Sequence, residues 1–249
     1  MSLQVLYRDS SLLVVNKPSG LAVHRGWARD KTTLLTEARR VAGQHVYPCH
    51  RLDRGTSGVF LFALSAELAT QIQAGWTARE VLKTYLAWVR GHAPALGHLD
   101  YPLAKDKLSE RRTSQTSLKR LQTAEFENVE LPRYPRRYSL ILAMPHTGRL
   151  HQVRKHLRHL SHPLVGDIRY GKKEHNLLCA ERFGLRRLAL HASHLSIVHP
   201  IEMTRLTWTA PLPPDLDEPF ERIGFQGAAL QAIAAPIWQP ELSAPLPQL

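Results

Sequence analysis

The chain has 249 residues, long enough to bury a core in one large domain or two small ones. Its 43% hydrophobic and 22% charged content is that of a globular protein, and no apolar run approaches the roughly 18 residues of a membrane span. Basic residues outnumber acidic ones 33 to 21, a net charge of +12 that favours polyanions, with nucleic acid foremost. The excess is uneven: from Ala210 onward five acids face one base, so residues 1–209 carry +16. Cys49 and Cys179 are too few for a disulfide framework, and the first residues lack the basic and apolar segments of a secretory signal. Both features suit the reducing cytosol.

In chain order, Gln4–Tyr7 and Leu12–Val15 are β-prone runs around a turn at Arg8-Asp9-Ser10-Ser11, and together they predict a hairpin. Asn16-Lys17-Pro18-Ser19-Gly20 then stops the ladder and begins a loop. Lys31-Thr32-Thr33 opens a helix through Ala42, with Leu34, Leu35, Ala38 and Val41 at helical spacing and Gly43 as its stop. Val59–Leu64 reads as a buried strand, and Ser65 caps a helix from Ala66 to about Gln73. Val81–Val89 and Tyr138–Ala143 have strand composition, as do Leu188–Val198 and Met203–Trp208. The charged stretch 105–120, with Lys105, Lys107, Arg111, Arg112, Lys119 and Arg120, reads equally as a mobile loop or an edge hairpin, or as a solvated face. Arg149–Leu160 is a short basic helix, and Leu216–Phe225 is helical. Eight of the 17 prolines follow Ala210, and residues 226–249 read as a peripheral tail. Strands and helices in mixed order, without a βαβ rhythm, predict an α+β fold: one domain over residues 1–225 and the tail.

One stretch carries chemistry. His50-Arg51-Leu52-Asp53-Arg54-Gly55-Thr56-Ser57-Gly58 sets an acid between two arginines just before a buried strand. A carboxylate beside cations stays ionised and can be aimed by its hydrogen bonds, as a nucleophile or general base must be. A surface ion pair at a strand entrance is the plain alternative, and partners elsewhere in the chain have to decide. Two further segments follow in order, Lys83-Thr84-Tyr85-Leu86-Ala87 and Thr147-Gly148-Arg149-Leu150-His151-Gln152-Val153-Arg154-Lys155-His156. With these three the chain resembles the RluA family of pseudouridine synthases, whose signatures are H-R-L-D-x-x-T-S-G, K-x-Y and G-R-x-H-Q-[IL]-R-x-H. Asn16–Gly20, His162-Pro163-Leu164-Val165-Gly166-Asp167 and Arg187–Ala192 match as well. The likeness spans residues 5–209, with Gly55 and the conservative Val153 as departures from the usual pattern. Within the family the chain looks most like the TruC branch, which modifies uridine 65 of certain tRNAs. Its Leu21–Arg25, Asp100–Leu103 and Arg158–Pro163 segments and the absence of an S4-like N-terminal extension point there.

The resemblance implies a pseudouridine synthase fold, a mixed and mostly antiparallel sheet flanked by helices with a catalytic cleft across it. It implies an isomerisation in which the N1–C1′ bond of a uridine breaks and C5 rejoins the sugar, with no atom gained or lost. No cofactor is then required, and the sequence offers no metal-ligand set. Asp53 is implied as the essential carboxylate. Attack on C1′, attack on C6 and proton abstraction from C2′ are all compatible with it. Arg154 matches the basic residue that pairs with this acid; a guanidinium there would offset the effect of burial and keep the anion at neutral pH. Tyr85 matches the active-site tyrosine, which can stack on an extruded uracil and take part in proton transfer. Arg51 matches the arginine that fills the space of a flipped base. Arg54, Lys83, Arg149 and His151 are candidates for phosphate or sugar contacts, each with a structural ion pair as its alternative. Thr56 and Ser57 are expected to shape the loop through local hydrogen bonds. The implied partner is tRNA, with neither membrane nor small-molecule cofactor, for a cytoplasmic monomer. A ribosomal RNA synthase of the same family and a non-catalytic RNA-binding protein are the alternatives.

Overall fold

The structure is a computed structural model, and it describes residues 3–25, 32–78, 80–106, 108–127, 136–240 and 248. In chain order its elements begin with β1 (Gln4–Arg8), β2 (Leu12–Lys17), α1 (Leu34–Ala42), β3 (Tyr47–Pro48), β4 (Ser57–Ala63) and α2 (Ala66–Thr77). Then come β5 (Leu82–Arg90), β6 (Leu96–Asp100), β7 (Gln115–Phe126), β8 (Arg136–Pro145), α3 (Gln152–His159) and α4 (Lys173–Phe183). The last are β9 (Leu190–Val198), β10 (Arg205–Thr209), α5 (Pro214–Ile223) and α6 (Gln226–Ala234). These form two compact units, one built from the chain up to Lys83 with His191–Pro211, the other from Thr84–Leu190 with the chain from Leu212. The expected α+β class holds, with a mostly antiparallel sheet and helices packed on it. Among the described residues no helix is long and apolar enough to cross a membrane.

In the first unit the predicted hairpin is β1 and β2, antiparallel with Val5 opposite Val15. Its turn is fixed by Asp9, whose Oδ1 accepts the Ser11 and Leu12 N–H groups at 2.6 and 2.7 Å. β2 pairs antiparallel with β4 from Leu12↔Ala63 to Lys17↔Gly58, and β4 pairs parallel with β9 at Ser57↔His191 and Gly58↔Ala192. All seven β4 residues are buried, which is why that strand reads as a continuous apolar run. Its alternate residues Val59, Leu61 and Ala63 pack with Leu12, Val14, Ile72, Leu195 and Ile197. α1 starts one turn later than predicted, because Thr33 and Thr36 close a capping box there; Lys31 lies outside the described residues. Gly43 ends it at φ 71°, as expected. Ser65 caps α2, but the helix runs past Gln73 to Thr77, since Gly75 is tolerated in its last turn and the Ala78 N–H closes on the Ala74 carbonyl.

The second unit carries the strands β5-β8-β7-β6 in that order, each pair antiparallel. Its core gathers around Trp88, whose ring meets Tyr138, Phe183, Phe220 and Phe225 edge-on at 5.7–6.0 Å between centroids. Part of the charged stretch 105–120 is strand: β7 begins at Gln115 and lies between β8 and β6, with Thr116, Ser117 and Leu118 buried. Residues 115–120 are thus an interior strand, and 105–114 are the connection from β6, bridged at Leu103↔Arg112; Lys107 lies outside the described residues. The expected peripheral tail begins with α6, whose Ala229 is fully buried and against whose core Ile233 and Trp238 pack. Small side chains at Ala228, Ala229 and Ala232 pack into that core, and they blur the helical period in the sequence.

Candidate active site

The Asp53 loop belongs to the first unit and is held by its backbone. Lys17 is fully buried, and its Nζ donates to the carbonyls of Pro18 (2.9 Å), Arg54 (3.1 Å) and Thr56 (2.7 Å). The Thr56 N–H closes the turn onto the Asp53 carbonyl at 3.1 Å. Ser19 Oγ donates to the Gly55 carbonyl at 2.8 Å, and Arg54 and Gly20 exchange two bonds, Nε to O at 2.8 Å and N–H to O at 2.9 Å. The Asn16–Gly20 segment is thus a clamp on the loop, a role its sequence did not disclose. Leu52 points inward, Asp53 is half-buried, and Arg51 and Arg54 are exposed.

At the root of the loop His50 is stacked on Phe60 at 4.3 Å and lies 5.4 Å from Trp76. Its Nε2 accepts the Leu61 N–H at 3.0 Å, so Nδ1 carries the proton. Burial, reinforced by the charge of Lys83, pushes the imidazole down to about 3, and it stays neutral at physiological pH. Lys83 has its Nζ 4.7 Å from the Trp76 ring centre, and burial pushes its ammonium down to about 8. At the other end Ser57 Oγ lies 2.8 Å from His191 Nδ1, while His191 Nε2 reaches the Ala210 carbonyl at 3.2 Å. Since Nε2 must donate there, Nδ1 accepts from Ser57. This bond is long-range, not the local one expected. Gly58 has φ 115° and a Cβ on it would run into the Ala192 backbone, so the last residue of the motif must be glycine.

The other candidates lie in the second unit. Tyr85 is buried on β5 opposite Ala143, 9% exposed. Arg154 projects from α3 and is gripped by Asp167, Nε to Oδ2 at 2.7 Å and Nη2 to Oδ1 at 2.9 Å. Burial alone would raise the Asp167 pKa. The Arg154 hydrogen bonds, with the N–H groups of Tyr170 and Arg169 on Oδ1, outweigh it and hold the carboxyl below its usual range. Asp167 therefore fixes the plane of the Arg154 guanidinium, which also lies 5.0 Å from the Tyr170 ring centre. The Tyr170 hydroxyl is 3.0 Å from His151 Nδ1, and His151 opens α3 in the left-handed region at φ 55°. Arg149 donates from Nε to the Thr113 carbonyl at 3.1 Å.

The remaining letters of the third motif are struts. Gln152 Oε1 accepts from Thr147 Oγ1 (2.7 Å) and the Arg149 N–H (3.0 Å), while its Nε2 donates to the Gln115 carbonyl and Thr116 Oγ1. His156 Nε2 donates to the Tyr101 carbonyl at 3.0 Å, which leaves Nδ1 to accept from Thr116 at 2.8 Å. Burial pushes His156 down to about 4, so it is a neutral spacer. Asp167 is the functional-site residue that the sequence reading named only as a motif letter. Its signal was an acid ending the apolar run Pro163-Leu164-Val165-Gly166. Among the described residues no three His, Cys, Asp or Glu side chains are grouped as a metal site needs.

Residues 11–159 match the family model described as RNA pseudouridylate synthase. The chain is 42% identical over 219 residues to tRNA pseudouridine synthase C of Pasteurella multocida, covering 83% of this chain and 90% of that one. It is 41% identical over 244 residues to the protein of the same name from Vibrio vulnificus, covering 92% and 99%. Among solved structures, human RNA pseudouridylate synthase domain containing 4 superposes with a TM-score of 0.70 at 25% identity, over 89% of this chain and 93% of that one. Human RNA pseudouridylate synthase domain containing 1 does so with a TM-score of 0.67 at 25% identity, over 95% and 97%. With the family model matched over residues 11–159 and its fold shared, the chain belongs to the RluA-type family of RNA pseudouridylate synthases.

Proposed function

We propose that this enzyme converts one uridine of tRNA, at position 65, to pseudouridine. Asp53 acts on the sugar–base link of the extruded nucleotide, Arg154 takes the part of the family's basic residue, and Tyr85 stacks on the uracil and helps move its proton. The N1–C1′ bond breaks, the base turns, C5 bonds to C1′, and the C5 proton is replaced by one gained at N1. Oxidation states balance within the nucleotide, so the reaction asks for no redox partner. Arg51 fills the stack left by the flipped base, and Arg54, Lys83, Arg149 and His151 meet phosphates and riboses. The same reading makes the enzyme a cytoplasmic monomer.

The observation that carries the proposal is the construction around Asp53, where a buried ammonium and the Asn16–Gly20 segment lock the backbone beside one half-buried carboxylate. Such preorganisation supports chemistry at that side chain rather than a solvated ion pair. The target follows the relatives, which at about 40% identity are named tRNA pseudouridine synthase C. The test is to incubate the protein with total RNA lacking the modification and map the new pseudouridines. One tRNA site at position 65 is expected from the wild type and none from Asp53→Ala, with tRNA affinity kept within a few fold. Product confined to ribosomal RNA would move the target, and a fully active Asp53→Ala would remove the assignment.

A further inference from the structure

A groove in the second unit is lined by Tyr101, Arg111, Lys155, Arg158, His159 and Tyr170, the last of which also touches Arg154 and His151. Tyr101 and His159 stack face to face, 3.7 Å between centroids and 19° between planes. Arg111 lies 5.4 Å from the Tyr101 ring centre and donates to its hydroxyl at 2.9 Å. Arg158 lies 6.0 Å from the Tyr170 ring centre. Both guanidiniums are exposed yet held against aromatic rings, which leaves less rotamer freedom to lose when they meet an anion. The walls are fixed to one another: His156 donates to the Tyr101 carbonyl, Lys155 donates to the Ala104 carbonyl at 2.6 Å, and Leu103 and Arg112 close two backbone bonds across the loop. Of the acids in and beside the same loop, Asp100 and Asp106 accept from Gln115 and from Leu108 and Ser109, and Glu110, next to Arg111, is exposed. No acid lines the groove among the described residues.

An open row of oriented cations with aromatic floors suits a chain of phosphates better than one small anion, which would need an enclosed pocket. We propose that this groove is a further RNA-binding site, taking the sugar–phosphate backbone of the substrate along the α3 face next to Arg154 and His151, with Arg111 and Arg158 as its main phosphate ligands. The proposal rests on the reading of the chain as a tRNA-modifying enzyme and adds to it a determinant of substrate affinity that lies outside the motifs.

The experiment measures binding of labelled, unfractionated bacterial tRNA across a range of salt, alongside pseudouridine formation. Arg111→Gln with Arg158→Gln should weaken binding about ten-fold at 0.1 M salt and reduce the log–log salt slope by about 2, one for each phosphate left without its guanidinium. The rate at saturating tRNA should stay within two-fold. Arg158→Glu, a single change at an exposed side chain, is the second variant and should weaken binding at least as much as Arg158→Gln. The lysine pair Arg111→Lys, Arg158→Lys should restore most of the slope. Unchanged affinity and slope in the folded variants would overturn the proposal and leave a solvated basic face. A wild type that binds tRNA through these arginines but forms no pseudouridine would sink the proposed function and leave the groove standing.

Discussion

Lys17 shows how a residue remote in sequence can hold the Asp53 loop. A buried ammonium is stable only if its N–H groups are satisfied, and here three carbonyls do so, two of them from residues that follow Asp53 in the loop. Lys17→Met keeps the packing volume but leaves the Thr56 carbonyl without that donor, while the Arg54 carbonyl keeps the Gly20 N–H; the loss is about 1–3 kcal/mol by the cost of one orphaned buried acceptor. The loop would also loosen, and displacing a reacting group by about 1 Å costs on the order of 10²-fold in rate. Single-turnover assays well below the melting temperature should therefore show the rate constant falling by about that factor while the KM for tRNA changes less than three-fold. A variant that melts early but turns over normally would make Lys17 a stability residue only. At this scale the motifs single out Asp53, Tyr85 and Arg154 as candidates, because each sits at a fixed letter. The sequence did not disclose the roles of Lys17 or Asp167, since these depend on which backbone folds back onto them.

Elements were legible where one local rule decided them. The caps Thr33, Gly43 and Ser65 mark α1 and α2, and the unbroken apolar run of β4 reflects a strand covered on both faces. Beside the short strands β3 and β6, three stretches escaped for physical reasons. The opening of β7 hides buried Thr116 and Ser117 among charges, because polar side chains can be core when their hydroxyls are bonded, as Thr116 is by Gln152 and His156. α4 buries His175, Cys179 and Phe183, a four-residue spacing whose histidine and cysteine do not read as an apolar stripe. α6 has no such stripe at all, since its buried position is an alanine. That makes α6 the sharpest test at this scale. Ala229→Glu places a carboxylate in the Trp88 core and should cost about 3 kcal/mol or more, whereas Leu230→Glu, at a position 47% exposed, should stay within about 0.5 kcal/mol. Urea unfolding of the two variants decides it, and equal stabilities would mean that residues 226–234 are peripheral after all.

The chain enters the second unit at Thr84, returns to the first at His191 and leaves it again after Pro211, so each unit is closed by segments far apart in sequence. Each also contains a histidine kept neutral by burial at a motif: His50 at the root of the Asp53 loop and His156 within α3. Their folded pKa values, about 3 and about 4, lie below the roughly 6.5 of an unfolded imidazole. Between those limits the unfolded chain binds protons that the folded chain does not, so stability falls as pH falls, beginning near 6.5. From pH 7 to pH 5 the linkage amounts to about 2 kcal/mol for each histidine, and the protons taken up elsewhere add to a net charge that is already +12. Asp167 acts later: its folded pKa is lowered, so its contribution is present above the unfolded carboxyl value and is lost only as pH falls through the folded one. The urea midpoint should therefore drop steadily between pH 7 and pH 5, well before any carboxylate pair is broken, while the His50 and His156 ring protons show no titration shift over that range. A midpoint unchanged at pH 5 would mean that these two rings accept protons in the folded state, and the neutral struts assigned to both motifs would fail together.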